Sequence, residues 1–374
     1  MLRDYMGIIN ASENEGDIRS LTTNRPIASM PIASRYRVVD FMLSNMVNAG
    51  LRNIGIFAES KSRSLIDHLG TGKPWDLNRK IDGLYMFNQS LTGLGVNDSK
   101  LFKNNMEYIY RSRNDSVILS SSYMICNIDL VQAIDAHEAS KADITVIYKT
   151  VNNADRLFLN NSLLNFDEDS KLIGVSRNIG ISKRANISME IFIMSKDILI
   201  DLLYRNLQSG NEPDFNMTIY SNLKRYNIMG FNFGGYLACI NSIHSYYKTN
   251  MELLNQKITN ELFFKNGTIY TKILDEPPTR YVKGSNVSNC LVADGCVIEG
   301  SVKDSLLSRY VVIEKGAEVN NCIILQNCRI GSGAKLSNVI IDKNAEIDRN
   351  MELKGSTEFP LVIEKRSIIN QMND

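Results

Sequence analysis

Between Tyr5 and about Leu254, short apolar runs alternate with stretches of helical period. MGIIN (Met6 to Asn10), NIGIFAES (Asn53 to Ser60), SVILSSS (Ser116 to Ser122), ADITVIYKT (Ala142 to Thr150), NISMEIFIMS (Asn186 to Ser195) and GFNFGGYLACI (Gly230 to Ile240) read as strands. Helical patterns follow them, through Leu69, from about Asp129 to Ser140, over SKDILIDLLYR and over INSIHSYYKTNMELL. The near-continuous apolar character of ADITVIYKT fits a strand buried on both faces. Such alternation predicts a doubly wound, mostly parallel sheet with helices on both faces, and ligands outside the carboxyl ends of its strands.

The pattern breaks at about Asn255 to Val282, where Pro277 and Pro278 are adjacent; this stretch reads as a connection. Beyond Gly284 the period changes. Val287, Val292, Val297, Val302, Leu307, Val312, Val319, Ile324, Ile330, Leu336, Ile341 and Ile347 recur every five or six residues except for one step of seven, and Gly295, Gly300, Gly316, Gly331 and Gly333 punctuate them. Short strands and turns repeated without helices predict a parallel β-helix of hexapeptide type. The repeat is too short for the hairpins of a sandwich. The expected layout is an α/β domain over 1–254, a connection over 255–283 and a β-helix over 284–374.

Composition narrows the function classes. The chain has 374 residues, long for a single core, with 44% hydrophobic and 22% charged residues. A net charge of +1 offers no basic excess for a nucleic acid. No apolar window reaches the ~18 residues of a membrane span, and the first residues lack a signal-peptide layout, so a cytoplasmic location is expected. The six cysteines (Cys126, Cys239, Cys290, Cys296, Cys322, Cys328) form no C-x-x-C pair, and His68, His137 and His244 lie far apart. Small buried thiols are expected, with no metal site.

The first strand runs into ASENEGDIRSL, Ala11 to Leu21. A strand, a short loop and a helix make a phosphate cradle in α/β proteins, yet this loop carries Glu13, Glu15 and Asp17.

RYRVVDFMLSNMVNAGLRNIGIF (Arg35 to Phe57) closely resembles the ADP-glucose pyrophosphorylase (glucose-1-phosphate adenylyltransferase) family. So do HLGTGKPWDL (His68 to Leu77), KADITV (Lys141 to Val146), TNMELL (Thr249 to Leu254) and IIDKNAEI (Ile340 to Ile347). The resemblance spans almost the whole chain. It implies a nucleotidyltransferase-like sheet followed by a left-handed β-helix, and the making of ADP-glucose from ATP and glucose 1-phosphate with magnesium.

The chemical positions depart from that pattern. The family's loop, approximately G-G-x-G-T-R-L, corresponds to Ser12, Glu13, Asn14, Glu15, Gly16, Asp17 and Ile18, so glycines are lost and the arginine is an acid. Each acid at ~4 Å from a phosphate would cost on the order of 4 kcal/mol at an effective dielectric of ~20. The lysine of A-K-P-A falls on Ile27. The G-D-H run becomes Ser121, Ser122 and Tyr123, and the second metal aspartate becomes Cys239. A hydroxyl and a thiol do not replace two carboxylates for Mg²⁺. S-M-G-x-Y appears as Ser188 to Phe192 with Glu190 at the glycine, and the E-K-P lysine has only Arg177 as a weak counterpart.

The resemblance therefore implies a catalytically degenerate, regulatory or structural subunit, with neither ATP nor Mg²⁺ expected as a cofactor. It would work beside a catalytic glucose-1-phosphate adenylyltransferase subunit, usually in a heterotetramer. Alternatives are a weakly active nucleotidyltransferase, and a self-sufficient homo-oligomer. A hexapeptide acyltransferase is disfavoured because no histidine lies beyond His244. Arg25, Arg37 and Lys343 match family positions that contact anionic effectors between the domains, implying a phosphorylated metabolite or phosphate as effector.

Overall fold

A computed structural model describes residues 4–58, 61–88, 98–208 and 215–370. Ser60 and its neighbour Glu59, expected to end the second strand, lie outside the described residues.

The first domain is built on a nine-stranded sheet. Its strands are β1 (Tyr5–Ala11), β2 (Asn53–Ala58), β3 (Gly83–Asn88) and β4 (Ser116–Ser121). A short strand, β5 (Met124–Ile125), stands apart from it. There follow β6 (Ile144–Val151), β7 (Ser162–Phe166), β8 (Leu172–Arg177), β9 (Ala185–Ser195) and β10 (Ile228–Asn232). The order is β8-β7-β9-β4-β1-β2-β3, with β6 also on β9 and β10 on β6.

One half, β4-β1-β2-β3, is parallel as expected. In the other half β9 runs antiparallel to both β4 and β6, and β7–β8 is an antiparallel hairpin. No helix separates β6, β7, β8 and β9 in the chain. β9 returns between β6 and β7, antiparallel to both.

The expected strand Gly230 to Ile240 is two pieces. β10 ends at Asn232, and after Gly234 and Gly235 the chain leaves the sheet to form β11 (Ala238–Cys239), paired with β5.

The helices cover this sheet. α1 (Val38–Asn48) is buried from Val38 to Val47, and the Asp40 carboxylate accepts the Arg37 N–H at its start. α2 spans Arg63–Leu69. α3 (Leu130–Ser140) starts on Asp129, whose side chain accepts from the Val131 N–H. α4 spans Lys196–Gln208, and α5 (Ile243–Glu252) opens on a Ser242–Ser245 capping box. Within the expected connection, α6 (Gln256–Phe264) packs back on the first domain: Glu261 accepts from the Tyr236 N–H, and the Phe263 ring lies 5.7 Å from Phe41.

The second unit is a left-handed parallel β-helix of three sheets, with six, five and five strands, all paired in parallel. Its first strand, Arg280–Tyr281, pairs with Val297–Ile298. Left-handed backbone at the corners falls on residues that tolerate it, among them Asn289, Asp304, Asn321 and Asn338. Most of the periodic apolar residues point inward, but Val297 and Val312 are half-exposed, and Ile298 and Ile313 fill the core in their place. Both strands read Val-Ile, so alternation alone could not choose the inward residue. Cys296, Cys322 and Cys328 are buried and Cys290 is partly so; burial pushes the Cys322 and Cys328 thiols up to about 12.

One face of the solenoid is apolar on both sides. Leu307, Ile324 and Ile341 face inward, while Leu306, Ile323 and Ile340 join the core of the first domain. Polar contacts flank this seam: the Tyr247 hydroxyl donates to the Asn321 carbonyl at 2.8 Å, and the Ser34 hydroxyl to the Leu291 carbonyl at 3.0 Å.

Candidate functional site

β1 and β4 pair in parallel with Asn10 opposite Ser121, so their carboxyl ends open side by side. A cleft of about 1220 Å³ lies there, bordered by the acidic loop, the turn after β4, the β7–β8 hairpin and β9.

Two of the loop's three acids, Glu13 and Glu15, are spent within the chain. The Glu13 carboxylate reaches across the strand ends and accepts the Ser122 backbone N–H at 2.6 Å. Its other oxygen is buried and has no protein partner, and burial pushes its pKa up to about 7. Glu15 pairs with Lys61 at 3.4 Å; burial raises its pKa while Lys61 opposes the shift. Asp17 stays exposed, in a short helical turn, Gly16–Ile18. Ser12 is half-buried, and its hydroxyl oxygen is buried without a protein partner. Ile27 is 1% exposed and belongs to the core, so nothing cationic reaches the cleft from that position.

The two positions read as replacing the family's metal aspartates lie close together in the fold. The turn after β4 holds Ser122, and β11 brings Cys239 opposite Met124. Both are buried. Burial and the neighbouring Glu190 raise the Cys239 thiol well above its usual range. The donors present are a hydroxyl and a thiol still holding its proton, which do not fit a magnesium ion.

Glu190 has φ +53° at a break in the β9 register between Ser188 and Ile191. Left-handed backbone is what a glycine would supply, and Glu190 adopts it nonetheless. The Tyr123 hydroxyl donates to its carboxylate at 2.7 Å and accepts from the Asn161 amide at 2.9 Å. Arg177, at the end of β8, borders the cleft and is exposed.

At the seam between the units, the structure brings Arg25, Arg37 and Lys343 together. Arg25 and Lys343 line a cavity of about 80 Å³, together with Lys365, Glu364 and Asp342. Arg37 does not line it, but its charge and that of Arg25, after burial itself, push the Lys343 amine down to about 6. Burial, followed by the Arg25 charge, lowers Arg37 to about 10. Arg25 is 5% exposed and donates to the Asp342 carboxylate at 2.8 Å, leaving its Nε without a partner. Asp342 escaped the sequence reading. It adjoins Lys343 in the same motif, but nothing local ties it to a residue 317 positions away.

Comparisons with known proteins agree with this arrangement. Residues 17–157 match a nucleotidyl transferase family model, and residues 277–357 match the model of a GlmU-like, C-terminal hexapeptide. The chain is 34% identical over 363 residues to the glycogen biosynthesis protein GlgD of Bacillus subtilis, covering 96% of this chain and 95% of the relative. It is 35% identical to the protein of that name from Geobacillus stearothermophilus over 98% of both chains. The chain belongs to the ADP-glucose pyrophosphorylase family. A glucose-1-phosphate adenylyltransferase of Bacillus cereus is 27% identical over 88% of this chain and 89% of its own length. The two family models fall on the two units of the fold, and the cleft of the first carries Glu13, Glu15 and Asp17. Among the described residues no helix is long and apolar enough to cross a membrane.

Proposed function

We propose that this chain is a catalytically degenerate regulatory subunit of a glucose-1-phosphate adenylyltransferase assembly, acting in glycogen biosynthesis. The observation that carries this reading is the seat of Glu13. A carboxylate held on the Ser122 N–H occupies the ground between the two strand ends where a nucleotide phosphate would need donors and cations. Transfer at a nucleotide α-phosphorus depends on charge neutralisation and positioning, and Ser122, Cys239 and Ile27 supply neither.

The partner in this reading is a catalytic homologue, in a heterotetramer. The cation cluster at the seam is its regulatory input: Arg25 and Lys343 receive the phosphate of a phosphorylated metabolite, or phosphate itself, and Arg37, outside the cavity, adds its charge. Arginine suits that task because its planar fork can hold two phosphate oxygens. The cavity beside Arg25 and Lys343 lies against both units, so an anion there would bear on their relative position.

The test is to purify the chain alone and with a catalytic homologue, then measure ADP-glucose formation and the mass of the species formed. Expected are no turnover by the chain alone, a joint oligomer on mixing, and altered kinetics of the homologue. Turnover by the isolated chain would instead support a weakly active nucleotidyltransferase. Absence of any joint species would remove the regulatory role.

A further inference from the structure

Lys343 is a lysine without a counter-ion. It stands half-buried in the turn after the strand Val339–Ile341 and borders the seam cavity of about 80 Å³. The adjoining carboxylate is committed elsewhere: one oxygen of Asp342 accepts from Arg25 at 2.8 Å, and the other from the Lys343 backbone N–H at 2.7 Å. Among the described residues, none forms an ion pair or a hydrogen bond with the Lys343 amine.

The surroundings of this amine are cationic. Arg25 and Lys365 border the same cavity and Arg37 acts from outside it, against the carboxylates of Asp342 and Glu364. Three cations facing two carboxylates favour a neutral amine over a fourth positive charge. Burial first, then the charges of Arg37 and Arg25, lower its pKa to about 6, so near neutrality most of it carries a free lone pair. An ordinary exposed lysine is neutral in only about one molecule in a thousand at pH 7.5. Desolvation beside other cations is how proteins activate a lysine as a nucleophile.

Charge and space then select the electrophile. A neutral product would leave the surplus positive charge as it was, whereas an anionic product cancels it. About 80 Å³ admits a group of a few heavy atoms, a water's own share of liquid volume being roughly 30 Å³. Carbon dioxide meets both conditions, adding three atoms and a negative charge.

We propose that Lys343 is a carbamylation site for carbon dioxide. The Nζ lone pair attacks the carbon, an N–C bond forms, and one C=O π pair moves onto oxygen. Nitrogen then releases one proton to solvent, leaving the carbamate Nζ–COO⁻ among Arg25, Arg37 and Lys365. No electrons are gained or lost. The carbamate puts a negative charge beside Arg25, so carbon dioxide and a phosphate exclude one another at the seam. The modification itself does not rest on the subunit role.

The experiment is to equilibrate the full chain alone with isotope-labelled bicarbonate at pH 7.5. Triethyloxonium ion then traps carbamates as stable ethyl esters, and mass spectrometry of the digest locates them. Expected is labelled ester at Lys343, at least tenfold above that at the exposed Lys315 of the same solenoid. Arg37→Gln should lower the labelling at Lys343 roughly tenfold. Lys365→Met, at the cavity rim, serves as a second variant should the first fold poorly, and should also lower it. Because no partner or effector is present, a failure of the regulatory reading leaves this measurement standing. No label at Lys343, or label no greater than at Lys315, would overturn the proposal. So would labelling at Lys343 that is indifferent to both variants.

Discussion

Arg25, just beyond the acidic loop, and Asp342, in the β-helix, form a buried ion pair at 2.8 Å that ties the two units together. Each side chain is less than a tenth exposed, so each charge depends on the other. Asp342 is also the carboxylate that shares the small cavity with Lys343, Lys365 and Glu364. Any anion entering the seam must contend with it for Arg25.

Removing the carboxylate should therefore cost more than removing the pair. Asp342→Ala is expected to destabilise the chain by about 3–5 kcal/mol, because it leaves the Arg25 charge buried beside Arg37. The Arg25→Met, Asp342→Leu double variant should recover most of that loss. Urea unfolding of the parent and the two variants checks this; equal losses for the single and double variants would show that the pair is not coupled.

Lys343 makes a pH prediction. Its amine is depressed to about 6 against an ordinary value of 10.5, by burial first and then by Arg37 and Arg25, with Asp342 opposing and Lys365 adding to the shift. Between those two values the unfolded chain binds the proton and the native chain does not, so this residue makes stability rise with pH from about 6 to about 10. Lys343→Met should flatten that slope and stabilise most at the acid end, read by urea unfolding at several pH values.

The same shift bears on the seam as an anion site. Sulfate, which does not titrate in this range, should draw a proton onto Lys343 when it binds, and so bind more tightly at pH 6 than at pH 8. Calorimetry in buffers of different ionisation enthalpy would read the proton uptake. Binding without uptake near pH 8 would place the anion away from Lys343.

Glu13 has the opposite sign. Burial raises its carboxyl from an ordinary 4.5 to about 7, so the native chain holds a proton that the unfolded chain has released over that window. Its contribution to stability is thus lost as pH rises from about 4.5 through 7. Glu13→Gln should be more stable than the parent at pH 8, and the advantage should vanish towards pH 4.5. An advantage independent of pH would mean that the carboxyl ionises normally.

At Glu190 the backbone, φ +53°, and the bond to Tyr123 pull in different directions. Both Glu190→Ala and Glu190→Gly lose the bond, but only glycine sits in left-handed backbone without penalty. The glycine variant should therefore exceed the alanine variant by about 1 kcal/mol in thermal or urea unfolding. Equal stabilities would indicate that the register break relaxes on substitution.

The sequence by itself determined the two units, the parallel half-sheet, the hexapeptide period and the acids of the loop after the first strand, because each is written in local residue order. A strand's alternation, a short repeat and a run of acids need no distant partner to be read. Tertiary structure alone decided the rest. The antiparallel course of β9 depends on which strands lie beside it, and the choice of Ile298 and Ile313 over Val297 and Val312 depends on how the coil is set around its core. Glu13 could be seen as an acid in a cradle, but its seat on Ser122, 109 residues away, and its raised pKa come from burial at the strand ends. Arg25, Arg37 and Lys343 could be picked out singly, whereas Asp342, which neutralises one of them, meets it only because the solenoid folds its apolar face onto the first domain. Charge and hydrogen-bonding partners act through space at a few ångströms, and a pattern along the chain carries that distance only between near neighbours.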